Sequence, residues 1–271
     1  MINFKKILFP VDLSAQSRAV APCVAAMSRR FRSEVVLLHV TGGPAPEPAL
    51  DHFAAEAFSG IPVIRELLEG DPARQIVSYA DEHKVDLIMM PTHGHGPFRA
   101  LLLGSVTAKV LHDTPCLVWT GVHAEQMTAH SPDRWKRVLC AVDTKGDADE
   151  HCESVLKWAW EFAQQQSLEL QLVHAVAGAD GMWTEQSDPS MYEFLFHAAR
   201  EQLAKFQTEA GTNLEIRMLG GSVGSAVRQA AVDYDADLIV IGRGTIQSSL
   251  GRLKNNAAAI IRAAPCPVIS I

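Results

Sequence analysis

Leu87-Ile88-Met89-Met90-Pro91-Thr92-His93-Gly94-His95-Gly96, followed after a short run by Leu103-Gly104-Ser105-Val106-Thr107, decides how the rest of the chain reads. An apolar run of strand length stops at a proline. A glycine-punctuated loop follows, and Gly104-Ser105 opens a periodic segment that reaches His112. The order is strand, loop, helix N-terminus. Gly94 and Gly96 carry no Cβ to hold a ligand away from the backbone. A helix start offers N–H groups without intrahelical partners and the positive end of the dipole. Donors converging from loop and helix make an anion site, most naturally for phosphate. On these residues alone, a surface loop with a serine cap fits equally well.

The same grammar recurs on both sides. Ile7 to Val11 is an apolar run, and Asp12 or Ser14 can cap the next segment. There Ala19, Val20, Cys23, Val24 and Met27 recur at helical spacing toward Arg29-Arg30. Glu34 to Val40 reads as a second strand, and strands on both sides of a helix indicate a parallel βαβ unit. A Gly/Pro/Ala loop, a modest helix from Leu50 to Phe58 and a third strand from Ile61 to Leu68 follow. Asp71-Pro72 then starts an amphipathic helix that runs to Lys84. The fourth strand, Val85 to Met90, leads into the glycine loop, and a strand from Cys116 to Thr120 closes the unit. After a polar stretch without periodicity the pattern restarts. Arg137-Val138-Leu139-Cys140-Ala141-Val142-Asp143 echoes the first strand, with Asp143 matching Asp12 and His174 matching His39. Further strands are expected at Leu168–Val176, Leu214–Leu219, Ala236–Ile241 and Pro267–Ile271. Helices are expected at Val155–Phe162, Met191–Glu209, Val223–Tyr234 and Ala257–Ala264. Such a duplication predicts an α/β fold of two tandem doubly wound, Rossmann-like parallel sheets of five strands each. The predicted domains are 1–121 and 135–271, with 122–134 as linker.

Gly94-x9-Gly104-Ser105, after an apolar strand and before Val-Thr-x-x-Val-Leu, resembles the nucleotide-binding signature of the universal stress protein (UspA) family, G-x-x-G-x9-G-[ST]. Asp113-Thr114-Pro115-Cys116-Leu117-Val118-Trp119 resembles the family's closing strand, and Lys5 to Ser14 its first strand and turn. The likeness covers nearly the whole chain, twice, as in tandem two-domain members. It implies an adenine nucleotide alpha hydrolase-like fold and a stress-response regulatory protein. It also implies ATP or AMP bound in the first unit, with Mg²⁺ held through the phosphates compatible with that. The contacts it implies are Pro10, Val11, Asp12 and Ser14 at the first strand and turn, and Val40, whose backbone would read the adenine edge. At the phosphate end they are Pro91, Thr92, His93, Gly94, His95, Gly104, Ser105, Val106 and Thr107. A carboxylate at Asp12 can accept from ribose hydroxyls or the adenine amine. One departure stands out: the first motif glycine is Pro91, which removes an N–H and fixes φ. Thr92, His93 and Gly94 still supply N–H groups, and His93, His95 and Arg99 can supply positive charge. His93 and His95 have the form of a metal pair, but no Cys, Asp or Glu stands beside them, so no metal is expected.

In the second copy Gly242 keeps the first motif glycine, but Thr245 replaces the second and Asn255-Asn256 replaces Gly-Ser. Asparagine can cap a helix, yet its side chain would crowd a phosphate that needs bare backbone. Arg243, Arg252 and Lys254 are candidate charge partners there. A degenerate, structural site is expected, and His39 and His174 are expected as satisfied core histidines. No dedicated enzyme is expected. Hydrolases and synthetases of this fold carry Ser-Gly-Gly-x-Asp-Ser or His-x-Gly-His after the first strand, and Pro10 to Ser14 offers neither. Slow ATP hydrolysis and a nucleotide-free scaffold are the alternatives.

The chain of 271 residues is 48% hydrophobic and 20% charged, with a formal net charge of −7. That disfavours a general nucleic-acid or anionic-membrane binder. Ile7-Leu8-Phe9 is broken at once by Pro10 and Asp12, too short for a signal core or a membrane span, so a cytoplasmic protein is expected. Five cysteines without C-x-x-C spacing read as buried small thiols. Each copy ends in an apolar strand expected at a sheet edge, and such edges invite pairing. Antiparallel pairing of the two closing strands, an intramolecular pseudo-dimer, is expected. Further association would use another surface, so a monomer or a homodimer is compatible.

Overall fold

The computed structural model describes residues 1–41, 48–92, 103–121, 130–143, 149–176, 189–243 and 255–271. The first half runs β1 (Lys6–Pro10), α1 (Ala15–Phe31), β2 (Glu34–Thr41), α2 (Pro48–Asp51) and β3 (Val63–Glu69). It continues with α3 (Pro72–Glu82), β4 (Leu87–Pro91), α4 (Ser105–Asp113) and β5 (Leu117–Gly121). After a 3₁₀ turn at Pro132–Arg134 come β6 (Arg137–Ala141), α5 (Asp149–Gln166), β7 (Glu169–Val176), α6 (Pro189–Glu209) and β8 (Ile216–Gly220). The second half closes with α7 (Val223–Tyr234), β9 (Leu238–Ile241), α8 (Asn255–Ala263) and β10 (Val268–Ser270).

The strands form one ten-stranded sheet, in the order β3-β2-β1-β4-β5-β10-β9-β6-β7-β8. Each set of five strands is parallel, and the two sets meet where β5 and β10 pair antiparallel, with Trp119 opposite Ile269. Two hydroxyls reinforce that junction almost symmetrically. Thr120 Oγ1 donates to the Val268 carbonyl at 3.4 Å, and Ser270 Oγ donates to the Val118 carbonyl at 3.2 Å. Strand residues alternate between two cores. Ile7, Phe9 and Leu37 pack with α1, α5 and α6, whereas Leu8, Leu38 and Met90 pack with α3, α4, α7 and α8. Helices on both faces explain why these strands read as unbroken apolar runs. Among the described residues no helix is long and apolar enough to cross a membrane.

Local chemistry accounts for the element boundaries. Ser14 caps α1, accepting from the Ser17 N–H, and Asp71 caps α3, accepting from the Arg74 N–H, with Pro72 next. The structure differs from expectation at Leu50–Phe58. Helix α2 stops at Asp51, because Ala54 takes a left-handed φ of 50° and the chain continues in turns. This bend lets Phe53 and Phe58 both pack near Phe9, at ring separations of 6.2 and 6.3 Å, a placement chosen by the core rather than by helix propensity. Residues 130–134, expected as linker, lie against α1, where Arg30 donates to the Pro132 carbonyl and to Gln166 at the end of α5. His39 Nδ1 lies 2.7 Å from the Val11 carbonyl and His174 Nδ1 lies 2.9 Å from the Val142 carbonyl, so both rings serve the same backbone position in the two halves.

None of the five cysteines is in a disulfide; four are buried and Cys116 is partly so. Burial pushes the Cys23 and Cys116 thiols up to about 12, and raises Cys140 and Cys266 as well. Since the thiolate is the nucleophile, native protein at pH 8 is expected to react slowly with a thiol reagent and the unfolded chain rapidly. Fast labelling of native protein would contradict this packing.

Candidate functional site

In each half the strand order reverses beside the first strand, since β1 lies between β2 and β4. Such a switch point opens a crevice beyond the strand ends. In the first half it holds a cavity of about 310 Å³. Its floor is made by the ends of two strands, Pro10 on β1 with Val11 and Asp12 just after it, and Met90 with Pro91 on β4. One wall is apolar, from Leu38, Val40, Pro72 and Ile76. The opposite side is the N-terminus of α4, from Gly104 to Thr107.

Four hydrogen bonds shape this cavity. Asp12 follows β1, and Leu13 takes a left-handed φ of 61°, turning the chain into α1. Asp12 Oδ1 then accepts from the Ser14 N–H at 3.0 Å and from Ser17 Oγ at 2.6 Å. The carboxylate, on an exposed residue, is thereby anchored at the cavity edge. On the other side, the Gly104 N–H donates to the Thr92 carbonyl at 2.9 Å and Thr107 Oγ1 donates to the Pro91 carbonyl at 3.1 Å. These bonds tie the start of α4 to the end of β4. Gly104, as N-cap, has no side chain to offer, so the N–H groups of Ser105, Val106 and Thr107 lack intrahelical acceptors and carry the positive helix end.

Of the residues expected at the site, Pro10, Val11, Asp12, Val40, Pro91, Gly104, Ser105, Val106 and Thr107 line this one cavity. Ser14 stands behind it as a helix cap, and Thr92 lies beside it through the bond to Gly104. His93, Gly94 and His95 lie outside the described residues. Pro91 ends β4 opposite Gly121 and contributes a carbonyl rather than a donor. Sequence reading missed Ser17, Leu38, Pro72, Ile76 and Met90. Ser17 left a signal, a hydroxyl three residues after a helix cap. The apolar residues left none, because a cavity wall and a core face look alike in a periodic pattern. Among the described residues no cluster of three His, Cys, Asp or Glu could hold a metal.

The corresponding place in the second half is arranged otherwise. Asn256, in the first turn of α8, donates through Nδ2 to Asp143 Oδ2 at 3.2 Å. A side chain thus spans from helix to strand end, where in the first half the cavity separates Asp12 from Ser105. Arg243, considered a charge partner for that second site, points elsewhere. Its fully buried guanidinium donates to the carbonyls of Leu111, Thr114 and Cys116 in the first half. Arg252 and Lys254 lie outside the described residues.

The sequence model of the universal stress protein family matches residues 46–120 and again 134–271. The chain belongs to the universal stress protein family. Among relatives, a universal stress protein of Methanocaldococcus jannaschii is 32% identical over 136 residues, 42% of this chain and 80% of that one. One from Thermus aquaticus is 33% identical over 132 residues, 42% of this chain and 96% of that one. Each of these aligns with about half of the present chain. Several solved structures span nearly all of it, among them two universal stress proteins. A putative universal stress protein from Pseudomonas aeruginosa has a TM-score of 0.71 at 19% identity, covering 99% of this chain and 93% of that one. A universal stress protein from Archaeoglobus fulgidus has a TM-score of 0.62 at 22% identity, covering 98% and 95%. At such identities these two bear on the fold, which is the Rossmann-like α/β fold of the universal stress proteins.

Proposed function

We propose that this universal stress protein binds one adenine nucleotide, ATP or AMP, in its first half and acts as a nucleotide-responsive regulator of the stress response. The observation that carries the reading is the cavity between the Asp12 carboxylate and the uncapped N-terminus of α4. Its volume lies at the lower end of the roughly 300–1,000 Å³ usual for small-ligand pockets. The chemistry is graded along it. Val40, Ile76 and Met90 present apolar surface suited to a base, Asp12 an acceptor suited to ribose hydroxyls, and α4 a row of donors suited to phosphate. Ser105 and Thr107 add hydroxyls near that end, and Mg²⁺ could accompany a polyphosphate there.

On this reading the chain has two functional units, 1–121 and 135–271, connected by 122–134. The antiparallel β5–β10 junction makes them an intramolecular pseudo-dimer. The second unit is structural, because the Asn256–Asp143 bond crosses the place a nucleotide would need. Calorimetric titration with ATP and AMP is expected to give a stoichiometry near one per chain. A value near two, or no heat with either ligand, would refute the assignment. Analysis of small molecules released on heat denaturation of purified protein supplies an independent check, with an adenine nucleotide expected in the supernatant.

A further inference from the structure

We propose that the second half completes the nucleotide site of the first, with Arg243 as the positioning residue for the phosphate-binding end of α4. This rests on the nucleotide reading above. Helix α4 has nine residues, so its two ends lie roughly 14 Å apart at 1.5 Å per residue. Its N-terminus faces the cavity, while its C-terminus meets the other half of the chain. The sequence leaves that C-terminus defective. The Leu111 carbonyl would take its intrahelical bond from residue 115, which is Pro115 and has no N–H. Arg243, just beyond β9, fills the gap. Nη1 donates to the Leu111 carbonyl at 2.9 Å and to the Thr114 carbonyl at 3.2 Å, and Nη2 donates to the Cys116 carbonyl. The Arg243 N–H is itself fixed, donating to the Ile271 carbonyl at 3.0 Å.

Two consequences follow for the far end of the helix. First, α4 is held at both ends. The Thr107 and Gly104 bonds secure its start to β4, and Arg243 secures its last turn to the second half. The donors of Ser105, Val106 and Thr107 are thereby held where a phosphate would meet them, and small displacements of such donors cost affinity. Second, a buried cation at the C-terminus offsets the negative end of the helix dipole, roughly half an elementary charge, and leaves the positive end uncompensated toward the cavity. Both effects act on phosphate groups. Neither acts on the base or ribose, which would lie against β1, β2 and α3. This separation by ligand moiety distinguishes positioning from mere stabilisation.

The test is calorimetry of the full-length chain with ATP, AMP and adenosine. Arg243→Met is expected to weaken ATP and AMP by about 10-fold or more and adenosine by less than about 2-fold, since only phosphate contacts depend on the placement of α4. Arg243→Lys, which keeps the charge but loses the planar fork, is expected to fall between, with roughly a 3-fold phosphate-selective loss. Ser270→Ala perturbs the β5–β10 junction without touching α4 and is expected to leave all three affinities unchanged. Equal losses for ATP and adenosine in Arg243→Met, or no loss, would overturn the inference while leaving the nucleotide reading intact. A phosphate-selective loss of the same size in Ser270→Ala would overturn the assignment to Arg243. Should the methionine variant not fold, the lysine variant decides, and wild-type ATP affinity there would overturn the inference. A wild-type chain that binds none of the three ligands refutes the nucleotide reading itself, and this inference with it.

Discussion

Val268→Asp is expected to lower the melting temperature by about 6–12 °C and to loosen the chain, seen as a larger radius of gyration or a split unfolding transition. Val268 is 1% exposed and lies on β10, between β5 of one half and β9 of the other. Its side chain sits in the core shared with Val118, Ile239 and Ile260. The side chains packed around it there are apolar, so an aspartate must lose its charge or break the packing. A cost of about 3 kcal/mol is a conservative figure for such a burial. For a chain of this size each kcal/mol corresponds to roughly 2–4 °C. Only where the two strands part is the bond from Thr120 Oγ1 to the Val268 main-chain carbonyl lost as well. Unchanged melting and unchanged scattering would mean that the β5–β10 contact does not hold the halves together.

Gly104→Val is expected to weaken ATP or AMP binding by at least ~2 kcal/mol, the scale of one or more charge-assisted hydrogen bonds, with little change in the melting of the ligand-free protein. The backbone at Gly104, with φ −59° and ψ 143°, is one that any residue can adopt. The backbone conformation therefore does not demand glycine here. What demands it, on the proposed reading, is a phosphate approaching the N–H groups of Ser105 and Val106, which a branched side chain would shield. The Gly104 N–H bond to Thr92 survives the substitution because it is made by the main chain. Calorimetry together with thermal denaturation separates the two effects. Unchanged nucleotide affinity would place the phosphates elsewhere, and a large drop in ligand-free melting would mean that Gly104 serves packing instead.

Much of the architecture was legible because it rests on local, periodic signals. Strands covered on both faces must be continuous apolar runs, so β1, β2, β4 and their counterparts announce themselves. Asp71-Pro72 announces a helix start, and the structure begins α3 at Pro72 with Asp71 as cap. The cavity was partly legible for a related reason. Polar or glycine residues directly after an apolar strand or directly before a helix, such as Asp12 and Gly104, have few purposes other than capping or binding. The apolar wall at Ile76 and Met90 was not, because a residue facing a cavity and one facing a core obey the same spacing. The bend at Ala54 was equally hidden, since nothing in Asp51-His52-Phe53-Ala54 forbids a helix.

By itself, then, the sequence determined the parallel α/β class, the duplication, the end of β4 and the start of α4, and the loss of the Gly-Ser pair at Asn255-Asn256. All are written in neighbouring residues, where strand burial, helix capping and backbone access act over a few positions. Tertiary structure alone decided the register in which the two closing strands meet and what certain polar residues do. Ten strands form one sheet because β5 and β10 satisfy each other's edge groups, a pairing between residues about 150 positions apart, as in the Ser270–Val118 hydrogen bond. Asn256 bridges to Asp143 rather than merely capping α8. Arg243, which in sequence looks like a charge for a nearby anion, is buried against Leu111, Thr114 and Cys116 of the other half. A long, charged side chain finds its partner wherever unsatisfied carbonyls lie within reach, and only the folded chain brings the end of α4 to it.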